Sequence, residues 1–214
     1  MEMVLTDNHK TTTGYLVRHG LTAANRENRF AGRSDEPLHP EGVAQLELIG
    51  QRLTGLGIEA IFCGPLRRTR QSAEIVAELV GAPVVAHDGL NEIFLPHWDG
   101  LTKEEITGNF GSEYPSWLSA PADFQVQGCE TILAVQQRAA ACLEQLLAEN
   151  RGKKILVVSH LIVIRSLILF YQQRPINEFR SVKVENGELI CLTARGPVRE
   201  LAFPASGEEL NSAG

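Results

Sequence analysis

The 214-residue chain lacks several things that would have settled its class early. It is poor in sulfur and aromatics, with four cysteines, two methionines, two tryptophans and an aromatic content of 6%. The cysteines, at 63, 129, 142 and 191, form no CxxC pair and stand at no zinc-like spacing from a histidine. That excludes a disulfide-dense scaffold or a structural zinc site, and the thiols are expected to be small buried hydrophobes in a reducing cytosol. There is no long apolar run. The longest, from Ile155 to Phe170, is broken by Ser159, His160, Arg165 and Ser166, and is too short to cross a bilayer comfortably. The first fifteen residues have no apolar core of the signal-peptide kind, so a cytoplasmic protein without membrane contact is expected. Basic excess is also missing: the net charge of −6 argues against a non-specific nucleic-acid binder, though not against a local basic pocket. Repeats and low-complexity tracts are absent, and 43% hydrophobic with 21% charged residues excludes wholesale disorder.

What is present reads as a single α/β domain over 1–214, long enough to bury its core without covalent staples. Residues 1–13 and 205–214 read as loose termini. Short buried strands are expected at Gly14–Val17, Glu59–Cys63, Ala82–Ala86 (an edge strand) and Ile155–Ser159. Helices are expected from Pro40, where proline suits the first turn, over about Leu66–Leu79, and over Thr131–Asn150. Residues 93–127 read as an inserted loop-and-helix segment over the active site. Asn186-Gly187, between Val182–Val184 and Glu188–Leu192, predicts a β-hairpin. Strands alternating with helices imply a three-layer sandwich, with a mostly parallel central sheet and helices on both faces.

In such sheets ligands bind beyond the carboxyl ends of the strands. His19 and His160 each close a strand there, and Arg68 follows a third. Neutral imidazole is a competent nucleophile toward phosphorus, and guanidinium forks match phosphate oxygens. Arg18, Arg68 and in second place Arg26 are the candidate forks. Asn25 is a neutral donor, Gly20 allows close backbone approach, and Glu92 is the candidate general acid. Arg67 and Arg70 read as a solvated basic face, and His39, His87 and His97 receive no catalytic role. A metal held by His19 and His160 lacks a third ligand at a recognisable spacing, so no metal or other cofactor is expected.

Arg18-His19-Gly20-Leu21-Thr22-Ala23-Ala24-Asn25 resembles the RHGxTxxN signature of the histidine phosphatase superfamily, the phosphoglycerate-mutase-like fold. The likeness continues through Phe30-Ala31-Gly32 and through Gly64-Pro65-Leu66-Arg67-Arg68-Thr69-Arg70-Gln71. It reappears at Leu90-Asn91-Glu92, Trp98-Asp99-Gly100, Gly128-Cys129-Glu130-Thr131 and Val157-Val158-Ser159-His160, together covering about Gly14 to Leu192. The resemblance implies that His19 becomes a phosphohistidine and that Glu92 protonates the leaving alcohol. Arg18, Asn25, Arg68 and His160 would hold the phosphoryl oxygens, with Gly20, Ala31, Gly32 and Leu161 completing the phosphate site, without metal. Three positions depart from the pattern: Leu161 stands for a glycine, Pro96 for a glycine and Gly64 for a serine.

Within the superfamily, mutases carry a long cationic insert after the proton donor. Here the interval from Glu92 to Gly128 is short and holds one lysine, Lys103, and no arginine. Leu95 stands for the mutase-type tyrosine and Ala31 for a threonine. A bis-anionic substrate is therefore expected to be under-neutralised, which favours a phosphatase acting on a small phosphorylated metabolite. The alternatives are a cofactor-dependent phosphoglycerate mutase and a non-catalytic phospho-ligand module. Leu95, Trp98, Phe110 and Trp117 are read either as an apolar wall for the substrate or as core. An exposed edge strand leaves room for a homodimer.

Overall fold

The alternation of apolar residues in the four short runs decides the layers. The computed structural model describes residues 12–194 and 201–202. Its strands are β1 (Thr13–Arg18), β2 (Ile58–Cys63), β3 (Val84–Ala86), β4 (Lys154–Ser159), β5 (Leu189–Ala194) and β6 (Leu201–Ala202). They form one sheet in the order β3-β2-β4-β1-β5-β6. The first four are parallel, and β5 runs antiparallel to β1. Tyr15, Val17, Ile61, Cys63, Leu156 and Val158 pack on one face against α2 (Pro40–Leu53) and α3 (Arg67–Val80). Leu16, Phe62, Ile155 and Val157, the alternate residues, face α6 (Ile132–Glu149) and α7 (Leu161–Tyr171). A strand buried on both faces needs apolar residues throughout, which is why β1 and β4 read as continuous hydrophobic runs.

The remaining helices are short: α1 (Ala23–Arg26), α4 (Lys103–Phe110) and α5 (Glu113–Ser119), with 3-10 turns at Asp88–Leu90, Pro96–Trp98 and Ile176–Ser181. The α4 start is held by a reciprocal capping box between Thr102 and Glu105. None of the helices among the described residues is long and apolar enough to cross a membrane.

Two expectations fail here. Asn186-Gly187 is a turn, but the chain before it joins no strand, and β5 pairs with β1 instead. The Val184 carbonyl accepts a hydrogen bond from Arg18 rather than from a hairpin partner (2.9 Å). The loose segment expected over 1–13 does not include its last two residues. Thr13 opens β1, and the buried Thr12 hydroxyl bonds both the Asn150 carbonyl and the Gly152 amide. Residues 1–11 and 205–214 lie outside the described residues.

Candidate active site

Strand register assembles the site. Arg18 on β1 is paired with Ser159 on β4, and Cys63 on β2 with Val158, so three strands end at one level. The residues that follow are His19, His160 and the Gly64–Arg68 turn. The fourth parallel strand, β3, leads through the Asp88–Leu90 turn to Glu92. The Ser159 hydroxyl donates to the Leu90 carbonyl (2.8 Å), tying that segment to β4.

His19 and His160 lie with ring centroids 5.3 Å apart and planes tilted by 60°. His19 Nδ1 is 2.8 Å from the Gly20 carbonyl. Only a protonated Nδ1 makes that bond, so Nε2 carries the lone pair. Burial, reinforced by the Arg68 and Arg18 charges, holds the His19 imidazole well below the usual histidine range, and it is neutral at pH 7. Burial and Arg68 do the same to His160. Burial raises the Glu92 carboxyl above 4.5, against the pull of the Ile93 amide and of Arg68, Arg138 and Arg18. A shift in that direction favours the protonated form, which is the form a general acid uses.

Arg68 is 1% exposed, and its terminal nitrogens donate to the carbonyls of Ser34 (2.8 Å) and Gly32 (2.6 Å). Burial pulls the Arg18 guanidinium down to about 10. The Nε atoms of Arg18 and Arg68 and both ring nitrogens of His160 are buried without a partner. Four orphaned polar atoms around one histidine cost free energy in the unliganded fold, and a polyoxygen anion is the group that would satisfy the donors among them.

Arg18, His19, Arg68 and Glu92 open into a cavity of about 490 Å³ lined also by Asn25, Ala31, Gly32 and Leu161, whereas His160 is fully buried behind it and does not line it. Asn25 accepts from Asn186 Nδ2 through its own Oδ1 (2.9 Å), which leaves its amide nitrogen for a ligand. Gly32 has φ +49°, and a Cβ there would overlap Asp99 Oδ1. Gly20 does not line the cavity. Its missing side chain makes room for Gly42 and Leu46 of α2, each 2.5 Å from where a Cβ would sit. Arg26 is likewise elsewhere, exposed and paired with Glu41 and His39. Arg67 and Arg70 are exposed on α3. At Gly64 a Cβ would stand 3.0 Å from His160 Nε2 and 2.9 Å from the Leu90 carbonyl, so any larger residue would press on the second histidine.

The aromatics divide between core and cavity. Trp98 is fully buried and stacks edge-on against Phe30 and Trp117, whereas Trp117, Leu95, Phe30 and Tyr114 reach the cavity wall. Cys63 and Cys142 are buried as expected, but Cys129 and Cys191 are only partly covered, and none of the four is in a disulfide.

The reading that a bis-anionic ligand would be under-neutralised is corrected. It counted cations only between Glu92 and Gly128, but the cavity also receives Arg165 from α7 and Arg180 and Lys183 from the segment after it. Other positions had no warning in the sequence. Asn186 Nδ2 donates to the carbonyls of His19 (3.0 Å) and Gly20 (3.4 Å), clamping the nucleophile loop. Arg138 on α6 grips Glu130 (2.6 Å) and donates to the Glu92 carbonyl (3.2 Å). Arg33 meets the same two partners. The Asn-Gly pair was the only visible signal, and it suggested a hairpin.

A family model described as the histidine phosphatase superfamily (branch 1) matches residues 14–203. The chain belongs to that superfamily. It is 31% identical over 204 residues to a protein of Klebsiella pneumoniae named probable phosphoglycerate mutase GpmB, covering 94% of this chain and 91% of that one. Among solved structures, Bacillus stearothermophilus YhfR superposes with a TM-score of 0.87 at 28% identity, over 92% of this chain and 98% of that one. An Entamoeba histolytica phosphoserine phosphatase mutant, in complex with phosphoserine, gives a TM-score of 0.80 at 26% identity, over 91% and 95%.

Proposed function

We propose that the chain is a phosphatase that hydrolyses a small phosphomonoester through a phosphohistidine on His19. The observation that carries this reading is the tautomer. The Gly20 carbonyl takes the Nδ1 proton and leaves the Nε2 lone pair as nucleophile, in a pocket of unpartnered cationic nitrogens. Nε2 attacks phosphorus in line, and the ester P–O bond breaks as Glu92 gives its proton to the departing oxygen. Water then loses a proton to Glu92 and attacks phosphorus, the P–N bond breaks, and inorganic phosphate leaves. Arg18 and Arg68 balance charge on the equatorial oxygens throughout, and that positioning and compensation is most of what phosphoryl transfer asks of a protein. The two guanidiniums supply the charge compensation from the chain itself, so turnover is expected to survive chelator.

The phosphoserine phosphatase neighbour supports the hydrolytic outcome; the relatives named probable phosphoglycerate mutase support a second reading, in which an acceptor alcohol replaces water. A panel of phosphomonoesters assayed in chelator, with wild type beside His19→Ala, tests the proposal. Phosphate release by wild type alone supports it. Isomerisation of 3-phosphoglycerate that depends on 2,3-bisphosphoglycerate, without phosphate release, would instead establish the mutase. Tight ligand binding with no turnover would establish the non-catalytic module.

A further inference from the structure

Among the described residues two thiols meet an imidazole, and one of the contacts is arranged for chemistry. Cys142 Sγ lies 3.2 Å from His87 Nδ1, but that nitrogen also accepts from the Gly89 amide (3.2 Å), and burial pushes the thiol up to about 11. Cys129, just before α6, is only partly covered, and its Sγ lies 3.5 Å from His97 Nδ1. On its other side the imidazole reaches α5: His97 Nε2 is 2.7 Å from Glu113 Oε2, the oxygen that also accepts from Trp98 Nε1 (3.0 Å). A carboxylate only accepts, so Nε2 carries the proton of the neutral ring and Nδ1 turns its lone pair to the sulfur. The Phe110 ring meets His97 edge-on at 4.8 Å and braces that orientation.

A nucleophile, a base beside it and a group that orients the base are the parts from which protein nucleophiles are activated. Burial and the Glu113 charge push the resting Cys129 thiol up, so the sulfur keeps its proton until His97 takes it. Glu113 is bonded to the imidazole, with the ring between it and the sulfur, so it stabilises the imidazolium more than it repels the thiolate. The three residues stand outside the phosphate cavity, yet the chain joins them to it. The next residue, Glu130, accepts from Arg33 (3.2 Å) and Arg138 (2.6 Å), and both arginines also donate to the Glu92 carbonyl.

We propose that Cys129 is a modification site for hydroperoxides, with His97 as its base and Glu113 orienting that base, and that its oxidation slows turnover by shifting the Glu92 segment. The thiol proton passes to His97 Nδ1 and the sulfur attacks one peroxide oxygen. The O–O bond breaks as the S–O bond forms, and the departing oxygen takes the proton from His97 and leaves as water or an alcohol. The cysteine is oxidised to a sulfenic acid and the peroxide is reduced. An oxygen added to a sulfur 3.5 Å from the ring displaces one of the two, and Glu130 is the adjoining residue. The effect on turnover rests on the phosphatase reading; the modification does not.

The test has two parts. The intact chain is first treated at pH 7 with iodoacetamide, and alkylation of each cysteine is followed by fragment mass spectrometry. Cys129 should react about tenfold faster than Cys191, the other partly covered thiol. His97→Asn and, separately, Glu113→Gln should each lower the Cys129 rate severalfold and leave Cys191 unchanged. A variant that merely loosened the fold would raise both rates, and the second variant decides the matter if the first fails to fold. Equal rates at Cys129 and Cys191 in wild type, or a Cys129 rate that neither variant lowers, overturns the site. Hydrogen peroxide is then added with dimedone, which traps sulfenic acid. The adduct should form on Cys129, with phosphate release falling in step, while Cys129→Ser keeps its activity through the same treatment. No adduct on Cys129 overturns the site, and an adduct with undiminished phosphate release overturns its effect on turnover. If the adduct forms but the untreated protein hydrolyses no ester, the modification site stands, and its effect on turnover falls together with the phosphatase reading.

Discussion

At the scale of single residues, the site works by denying atoms their usual partners. Burial outweighs three nearby arginines at Glu92 and raises its carboxyl above the ordinary range, which favours the form that carries a proton. The value of kcat/KM for esters with poor leaving groups should therefore fall on the alkaline side as Glu92 loses that proton. Glu92→Gln should abolish this limb and slow alkyl esters by ~10²-fold or more, while slowing activated aryl esters much less. Equal slowing of both substrate types would remove Glu92 as the acid. Gly20 carries a different load. A methyl group at this position would meet the Gly42 carbonyl and Leu46 at 2.5 Å. Gly20→Ala should cost roughly 1–3 kcal/mol in a denaturant titration, as overpacking does. An unchanged midpoint would mean that α2 yields without strain. The sequence pointed to a phosphate contact at this glycine because its neighbour is the nucleophile; only the packing of α2 reveals the other reason for it.

At the scale of elements, the catalytic loops are held by supports that come from far along the chain. The Asn186 turn grips the loop after β1, and α6 grips the Glu92 segment through Arg138 and Glu130. Glu130 also accepts from the Phe94 amide, so one carboxylate ties three segments together. Asn186 and Arg138 are positioning residues. Asn186→Ala should lower kcat by ~10-fold with little change in KM, and Asn186→Asp, which lacks the amide donor, should not restore it. A rescued rate in Asn186→Asp would show that the side chain only fills space. Strands β1, β2 and β4 were legible because strands buried on both faces must be apolar throughout, and the strand-end histidines followed from them. The hairpin was misread because Asn-Gly reports a turn but not what the turn packs against.

At the scale of the whole molecule, the sheet brings His19, Arg68, Glu92 and His160, drawn from nearly the full span between β1 and β4, to one end. That convergence was readable from strand ends and motif order. The second set of cations was not, because Arg165, Arg180 and Lys183 belong to no motif and reach the cavity only through the packing of α7. Concentrated burial also leaves a mark on stability. The native pKa values of His19 and His160 lie below the ordinary 6.5, so as pH falls through 6.5 the unfolded chain takes up two protons that the native site refuses. Stability from these groups is intact above that value and declines below it, by up to ~1.4 kcal/mol per pH unit for each imidazole. Glu92 acts in the opposite sense: its raised pKa contributes stability below 4.5 that is lost as pH rises through its native value. Thermal unfolding from pH 7 to pH 5 should show a steep acid limb, which a His19→Asn, His160→Asn double variant flattens; an unchanged slope would mean the imidazoles are not shielded as described.

The most direct measurement is to trap the reaction in mid-course. Wild-type protein is mixed with an ester it turns over, quenched within milliseconds into alkali, where phosphohistidine survives, and analysed by intact and fragment mass spectrometry. One added phosphoryl group is expected, lost in acid and located on His19. A phosphoryl group on any other residue, or turnover in which no phosphorylated protein ever accumulates even when Glu92→Gln slows the second step, would contradict it.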